Sequence, residues 1–510
     1  MKKAFLILIL TVITAFAAAV SPSFSADLER GKDLYTRYCW WCHGEFGEGN
    51  GPASKFMNPE PRDFTYGFYK WKSTPFDEYT PSRKDFRKMI TGVYHKGDVR
   101  GLGGTAMPGW EGVLKDEAMD DVIAYIKSLA FLEAPEKPPV DLSGRVEASF
   151  DSFDRGKKLF ADNCSECHGK LGRGDATKRL KDDFGVRTWP RNLTKPWTFR
   201  AGSDPRDIYK RITVGILGTQ MPSFDDPASK KRLSAGQRWD IANYVATLGE
   251  PLRRPYPGAV LISLRLEGDL PDAPDDPAWD VAEFRSFYLA PQIIVAERLF
   301  TPTVDSISVK SLYNEEEAAF LLEWDDRTES VPGQKKSIKL AEGELFRDGV
   351  ALEFSLKRLE GGKRPYFGMG GPGNPVRILF WQGATSTSPE QFTLIRAQGS
   401  RRLETKPAGR DFFAKGSYDN GRWRVVMKAP LYAVYPWAGA SSRQGTFIPV
   451  AFAAWDGSNS ETGSRHVTSG WHWAVLKAEK GPWDILLWPL VVFVLVFIGE
   501  IFIVRNLRKR

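Results

Sequence analysis

The sequence predicts a multidomain chain: two all-α domains built to one plan, an all-β sandwich, and a single C-terminal transmembrane helix. A cysteine–histidine motif occurs twice with its surroundings, strand-like runs replace helical ones from about Pro257, and a twenty-residue apolar run lies near the chain's end. With 510 residues, 42% of them apolar and 26% charged, there is room for about three domains of ~100–200 residues each. That composition excludes a disordered chain, a collagen and a small disulfide scaffold. The net charge is +8, but Lys2, Lys3, Arg505, Arg508, Lys509 and Arg510 supply much of it from the two extremes. The basic balance therefore belongs to a leader and a membrane flank, and no nucleic-acid partner is expected.

Taken in chain order, Met1, Lys2 and Lys3 precede an apolar run from Ala4 to Val20 and small residues between Ser21 and Ala26, the three-part pattern of a secretory signal over residues 1–26. At the other end, Ile485 to Val504 contains Glu500 as its only charge. At ~1.5 Å per residue this run is long enough to cross ~30 Å of hydrocarbon. Arg505 and Arg508 to Arg510 follow at once. Basic flanks stay cytoplasmic, so the bulk of the chain is expected on the periplasmic side of the cytoplasmic membrane, tethered through residues 485–504.

All four cysteines fall in two units, Cys39-Trp40-Trp41-Cys42-His43 and Cys164-Ser165-Glu166-Cys167-His168. Two thiols three positions apart add to the two vinyl groups of one heme, and the adjacent His then lies beneath the iron. A redox dithiol or half a zinc site also uses Cys-x-x-Cys, but neither calls for the His that follows each pair. These segments resemble class I c-type cytochromes, which implies two covalent hemes, held by Cys39 and Cys42 and by Cys164 and Cys167, with His43 and His168 as proximal ligands.

The surroundings repeat as well. Arg30-Gly31-Lys32-Asp33-Leu34-Tyr35 precedes Cys39 by the offset at which Arg155-Gly156-Lys157-Lys158-Leu159-Phe160 precedes Cys164. Pro61-Arg62-Asp63-Phe64-Thr65 matches Pro190-Arg191-Asn192-Leu193-Thr194, and each copy closes with an apolar helix, Val122 to Leu129 and Ile241 to Leu248. The copies read as domains over residues 27–132 and 151–250, joined by a Pro-rich linker over 133–150. A methionine is usually packing, but Met107 and Met221 stand in matching Gly-Thr-x-Met-Pro loops. The resemblance places the distal thioether there. His95 is a competing ligand in the first copy, without a histidine counterpart in the second.

Between residues 257 and 480 the runs Ile307–Leu312, Ala318–Trp324, Val350–Leu356, Val376–Trp381, Trp423–Lys428, Phe447–Trp455 and His466–Leu476 alternate with Gly, Asp, Asn and Pro clusters. Such short strands suggest an antiparallel sandwich. The stretch Tyr366 to Trp381, with Met369 in a Gly-rich turn, and the stretch Val450 to Asn459 resemble the heme-binding domain of the ethylbenzene dehydrogenase gamma subunit. The resemblance implies one noncovalent heme b and, as partners, a molybdopterin catalytic subunit and an iron–sulfur subunit. It also implies Met369 as one axial ligand and a Lys after the Trp-Asp-Gly turn as the other. Here Gly463 to Ser469 holds no Lys. Arg cannot bind iron whereas neutral imidazole can, so His466 is the expected replacement. His472 has the same strand parity but lies ~20 Å further along an extended strand.

The expected function is a membrane-anchored triheme electron-transfer subunit of a molybdopterin oxidoreductase complex, nitrite/nitrate-type or related. It exchanges electrons with other cytochromes or a terminal oxidase and has no catalytic residue of its own. The alternatives from other classes are an exported heme peroxidase and a heme-based sensing or binding protein. A peroxidase needs an open iron position, which two Met-Pro loops argue against.

Overall fold

The computed structural model describes residues 26–507 apart from 58, 93–100, 103–104, 133–135, 179, 184, 186, 359, 437–443 and 479–481. The expected leader, His95 and the Gly104 of the first Met-Pro loop lie outside the described residues. The chain divides into two compact units. One comprises residues 1–164, 180–189 and 195–249, the other 165–179, 190–194 and 250–510.

In the first unit, helix α1 (Leu28–Tyr38) starts where the Asp27 carboxylate accepts the Arg30 N–H and ends at Cys39, from which the short helix α2 (Trp40–His43) continues. Helix α3 (Arg83–Thr91) opens on a capping box of Ser82 and Asp85, and α4 (Asp116–Leu129) closes the first copy. The reason for the repeated Arg-Gly-Lys lies where the first and last helices cross. A Cβ on Gly31 would run into the Asp121 carbonyl, and Arg30 pairs with the buried Asp121 carboxylate. The second copy repeats the device between α5 (Phe150–Asn163) and, after α6 (Ser165–His168) and α7 (Pro205–Val214), α8 (Ala235–Thr247). There Gly156 meets the Asp240 carbonyl and Arg155 Nε lies 2.8 Å from Asp240 Oδ2. Glycine is needed at both crossings because the backbones touch.

The two copies meet through polar contacts within this unit. Lys88 Nζ is 2.9 Å from Asp207 and Lys70 Nζ 2.9 Å from Asp182. Arg211 donates to the Lys70 and Lys72 carbonyls at 3.3 Å and lies over the Trp71 ring at 4.9 Å. The helical region also carries a two-residue ladder, β1 (Leu180–Lys181) with β2 (Arg187–Thr188), which an all-α reading omits.

The second unit is dominated by one continuous sheet. Its strands are β3 (Val260–Arg265), β4 (Arg285–Tyr288), β5 (Ala290–Pro291), β6 (Ser306–Tyr313), β7 (Glu317–Asp325), β8 (Gly349–Ser355), β9 (Val376–Gln382), β10 (Gln391–Ala397), β11 (Leu403–Pro407), β12 (Phe413–Asp419), β13 (Arg422–Pro430), β14 (Phe447–Trp455), β15 (Val467–Thr468) and β16 (His472–Leu476). The main path runs β11-β10-β9-β8-β14-β16-β3-β6-β7-β13-β12. It folds over on itself: Trp381 of β9 meets Trp423 of β13 at 5.1 Å and Trp324 of β7 at 6.5 Å. Gly416 of β12 has no side chain because the Trp381 ring occupies that space. Two expectations are corrected here. The sheet is not wholly antiparallel, since β16 and β3, and β3 and β6, pair in parallel. The run His466–Leu476 is not one strand either, because it breaks at Ser469-Gly470-Trp471 between β15 and β16. Glycine inside a strand pattern marks such a bend.

Helix α9 (Pro482–Leu507) ends the described chain. Its stretch Trp488–Arg505 has mean hydropathy 2.2 and is exposed throughout, long and apolar enough to cross a membrane.

Candidate heme-binding sites

The first site is built by α1 delivering Cys39 and α2 delivering Cys42 and His43. The turn is tight: Gly44 N donates to the Trp40 carbonyl, and Gly49 N to the His43 carbonyl at 2.8 Å. A Cβ on Gly51 would stand 2.6 Å from the Trp40 carbonyl oxygen, so only glycine lets the following loop pass. None of the four cysteines forms a disulfide. Burial pushes the Cys39 thiol up to about 12 and raises Cys42 as well. A redox dithiol needs the opposite shift.

His43 is held in one orientation. Its Nδ1 lies 3.0 Å from the Arg62 carbonyl oxygen, and its ring stacks on Phe64 at 4.4 Å with 18° between planes. Burial lowers its pKa, which keeps the imidazole neutral. With Nδ1–H given to a carbonyl, Nε2 keeps its lone pair for a metal. Met107 packs with Cys39, Trp40 and Phe64 around one apolar core, so the thioether and the attachment motif face a common interior. Its loop is cross-braced: Leu102 N donates to the Met107 carbonyl at 3.0 Å, and Met107 N to Thr105 Oγ1 at 3.1 Å.

The second copy repeats the histidine contact and, separately, the methionine loop. His168 Nδ1 lies 3.0 Å from the Arg191 carbonyl oxygen, and burial lowers its pKa too. In the first unit, Met221 sits in a loop of the same build, with Ile216 N on the Met221 carbonyl at 3.0 Å and Met221 N on Thr219 Oγ1 at 3.2 Å. One substitution between the copies has a visible cause. Asp63 and Asn192 both accept from the threonine two residues on. Asn192 also has an amide to donate, and it does so to Asp325 Oδ2 at 3.0 Å.

The third candidate lies on the outer face of the sheet. Ala351, Val376, Ile378, Ala397, Ala451 and Trp471 form an apolar patch against which Met369, Phe380 and Trp455 pack. Met369 has φ +63°, a left-handed conformation costly for a residue with a Cβ, and such strain concentrates at functional positions. His466 lies on Trp455 at 4.7 Å, and its Nδ1 is 3.0 Å from the Gly463 carbonyl oxygen. Burial lowers its pKa to about 4, so it is neutral. His472 is separated from this face: the bend before β16 turns it inward, where it packs on Phe287 at 4.6 Å. Their shared parity on a single extended strand is therefore corrected. Glu353, unmarked by any motif, pairs with Ile378 and Ala451 and so shares the outer face. Its Oε1 is buried without a partner, and burial raises its pKa to about 8. Its signal in the sequence was a carboxylate inside an apolar strand.

These residues fit their cofactors on chemical grounds: paired thiols beside a neutral, oriented imidazole for covalent heme, and an apolar patch with a thioether packed on it and an imidazole on its Trp455 for a noncovalent one. The fold and sites thus define a c-type cytochrome with electron-transfer character. The cytochrome c family matches residues 28–130 and 153–249, and the ethylbenzene dehydrogenase family matches residues 276–413. The chain belongs to the cytochrome c proteins, with two copies of that domain fused to an ethylbenzene dehydrogenase gamma-like domain. It is 25% identical to a putative respiratory nitrate reductase heme subunit of Haloferax mediterranei, over 45% of this chain and 78% of that one. It is 26% identical to the cbb3-type cytochrome c oxidase subunit CcoP of Azospirillum brasilense, over 46% of this chain and 70% of that one. A solved chain of a reducing HAO-like protein complex from Kuenenia stuttgartiensis shares 34% identity over 45% of this chain and all of that one, with a TM-score of 0.40.

Proposed function

We propose that this chain is a triheme electron-transfer subunit anchored in the cytoplasmic membrane and exposed to the periplasm. One covalent heme is held by Cys39 and Cys42 between His43 and Met107, in a lobe over residues 27–132. A second is held by Cys164 and Cys167 between His168 and Met221, in a lobe over 151–250. A noncovalent heme b lies between Met369 and His466 in the domain over 257–480. Residues 1–26 export the chain and residues 485–504 anchor it.

The observation that carries this reading is the pair of histidines whose Nδ1 atoms are each 3.0 Å from the arginine carbonyl of a matching Pro-Arg segment. When bound, the hemes supply reversible one-electron exchange. The chain's own residues keep His43 and His168 neutral and aimed, hold the two thioethers in braced loops, and exclude water from Cys39. Met ligation raises a heme's potential, which suits a carrier on the electron-accepting side. The partners are a molybdopterin catalytic subunit with its iron–sulfur subunit, nitrite/nitrate-type or related, and other cytochromes or a terminal oxidase. The relatives named for respiratory nitrate reductase and cbb3 oxidase support that class of partner.

The test is to purify the tagged full-length chain from its native membrane. The expected result is a polypeptide heavier than its sequence by two hemes, one further heme extractable by acid acetone, and co-purified molybdenum. A mass showing fewer than two covalent hemes, or a complex free of molybdenum, overturns the corresponding part.

A further inference from the structure

Three strands end at one place with a carboxylate. Asp326 follows β7, Asp348 precedes β8 and Asp456 follows β14, and one side-chain oxygen from each lies within 4.8 Å of the others. Asp348 and Asp456 are wholly buried and Asp326 is 4% exposed, and Glu461, also wholly buried, adjoins them. Glu461 accepts the Asp456 N–H at 3.1 Å and the Asn459 amide at 2.9 Å.

The geometry points to a site for a hard divalent cation, Ca²⁺, among Asp326, Asp348 and Asp456. Buried carboxylates need a compensating charge. Arg327 faces Asp456 and Asp326, and one guanidinium does not balance the four buried acids Asp326, Asp348, Asp456 and Glu461. A further observation points to a ligand. Asp326 Oδ2 is buried with no hydrogen-bond partner, on a residue 4% exposed. The Ser330 hydroxyl, on a residue 1% exposed, stands beside the Asp348 carboxyl and can donate to it. The other oxygens already accept N–H groups: Asp348 takes Ser330 N at 2.7 Å, Trp423 Nε1 at 2.9 Å and Gly457 N at 2.8 Å. A carboxylate oxygen with one such donor keeps a lone pair for a cation.

The donor set is all oxygen, which disfavours zinc and copper. An irregular set of buried carboxylates suits Ca²⁺, which takes oxygens at ~2.3–2.6 Å in flexible geometry, whereas Mg²⁺ demands a near-ideal octahedron and keeps several waters. Asp326 is pushed well above the usual carboxylate range, and Asp348 up to about 7, by burial first and by neighbouring carboxylates next.

The ion would tie β7 to β8 and β14 and pin the turn at Gly457–Asn459, where the Asp456 carboxylate accepts the Ser458 and Asn459 N–H groups. That turn leads to Gly463 and His466, so the site braces the loop carrying the proposed heme b ligand.

The experiment uses the full-length holoprotein. Elemental analysis before chelation is expected to find about one calcium per chain. After treatment with EGTA and desalting, Tb³⁺ alone is expected to bind with tryptophan-sensitised luminescence, through Trp423 bonded to Asp348, and to be displaced by Ca²⁺. Asp326→Asn, which keeps the side chain's shape, is expected to weaken Tb³⁺ binding by about tenfold or more. In the unmodified protein, Ca²⁺ is expected to raise the thermal midpoint of the chelated sample. Absence of calcium together with no Tb³⁺ luminescence overturns the site in favour of shared protons, as does luminescence unaltered in Asp326→Asn.

Discussion

His466 and Trp455 lie against each other with ring centroids 4.7 Å apart and planes tilted by 38°, and both direct a ring nitrogen to the Gly463 carbonyl oxygen, at 3.0 Å each. A carbonyl has two lone pairs and the indole is only a donor, so it can accept from both rings, leaving His466 Nε2 as the free lone pair. His466→Ala is expected to remove the acid-extractable heme and leave both covalent hemes in place. His472→Ala, altering a ring that packs on Phe287 in the core, is expected to cost stability without emptying the site. Pyridine hemochrome spectra before and after extraction decide it, and full heme b in His466→Ala would sink the ligand assignment.

Met369 offers a test in which a ligand and a packing residue move in opposite directions. At φ +63°, Met369→Gly relieves backbone strain of about 1 kcal/mol. The heme-free β domain is expected to gain that stability while heme b affinity falls. Parallel loss of both would mark Met369 as a packing residue.

For Met107 and Met221, replacement of either by Ala is expected to abolish one sulfur–iron near-infrared band with both covalent hemes retained. The double variant should lose both bands. An unchanged spectrum in either single variant refutes that ligand.

Gly31 and Gly156 occupy the two helix crossings. An added methyl at either meets backbone carbonyl oxygen, which cannot rotate away, so Gly31→Ala and Gly156→Ala are each expected to cost about 1–3 kcal/mol. Chemical denaturation of the holoprotein measures this, and a change near zero would show that the helices separate freely.

Glu353 supplies the pH dependence. Its folded pKa is raised to about 8 against an unfolded value of ~4.3, so the folded state binds the extra proton between those limits. Its contribution is present below ~4.3 and is lost as pH rises towards 8. Glu353→Gln is expected to be more stable than the parent at pH 8, by about 2 kcal/mol once partial exposure is discounted, and indistinguishable from it at pH 4. Denaturation midpoints at the two pH values decide it, and parallel midpoints across the range would refute a buried acid.

The sequence by itself determined the chemistry that is local in the chain. Cys39, Cys42 and His43 are legible because thioether attachment needs thiols three positions apart beside their histidine. The repeated Arg-Gly-Lys and Met-Pro segments are legible because a duplicated helix crossing and a duplicated loop preserve their residues. The strands Glu317–Asp325 and Phe447–Trp455 are legible as largely apolar runs. Edge strand Leu403–Pro407 is not, because it is exposed along its whole length and buries nothing that would leave a pattern. Only the tertiary structure separated the two histidines. A bend at Ser469-Gly470-Trp471 puts His466 and His472 on opposite faces, and strand parity holds only while a strand is continuous. The same is true of Glu353 and of Asp326, Asp348 and Asp456. Their meeting is set by the register of strands far apart in the chain, and sequence spacing carries no record of which strand ends a folded sheet brings together.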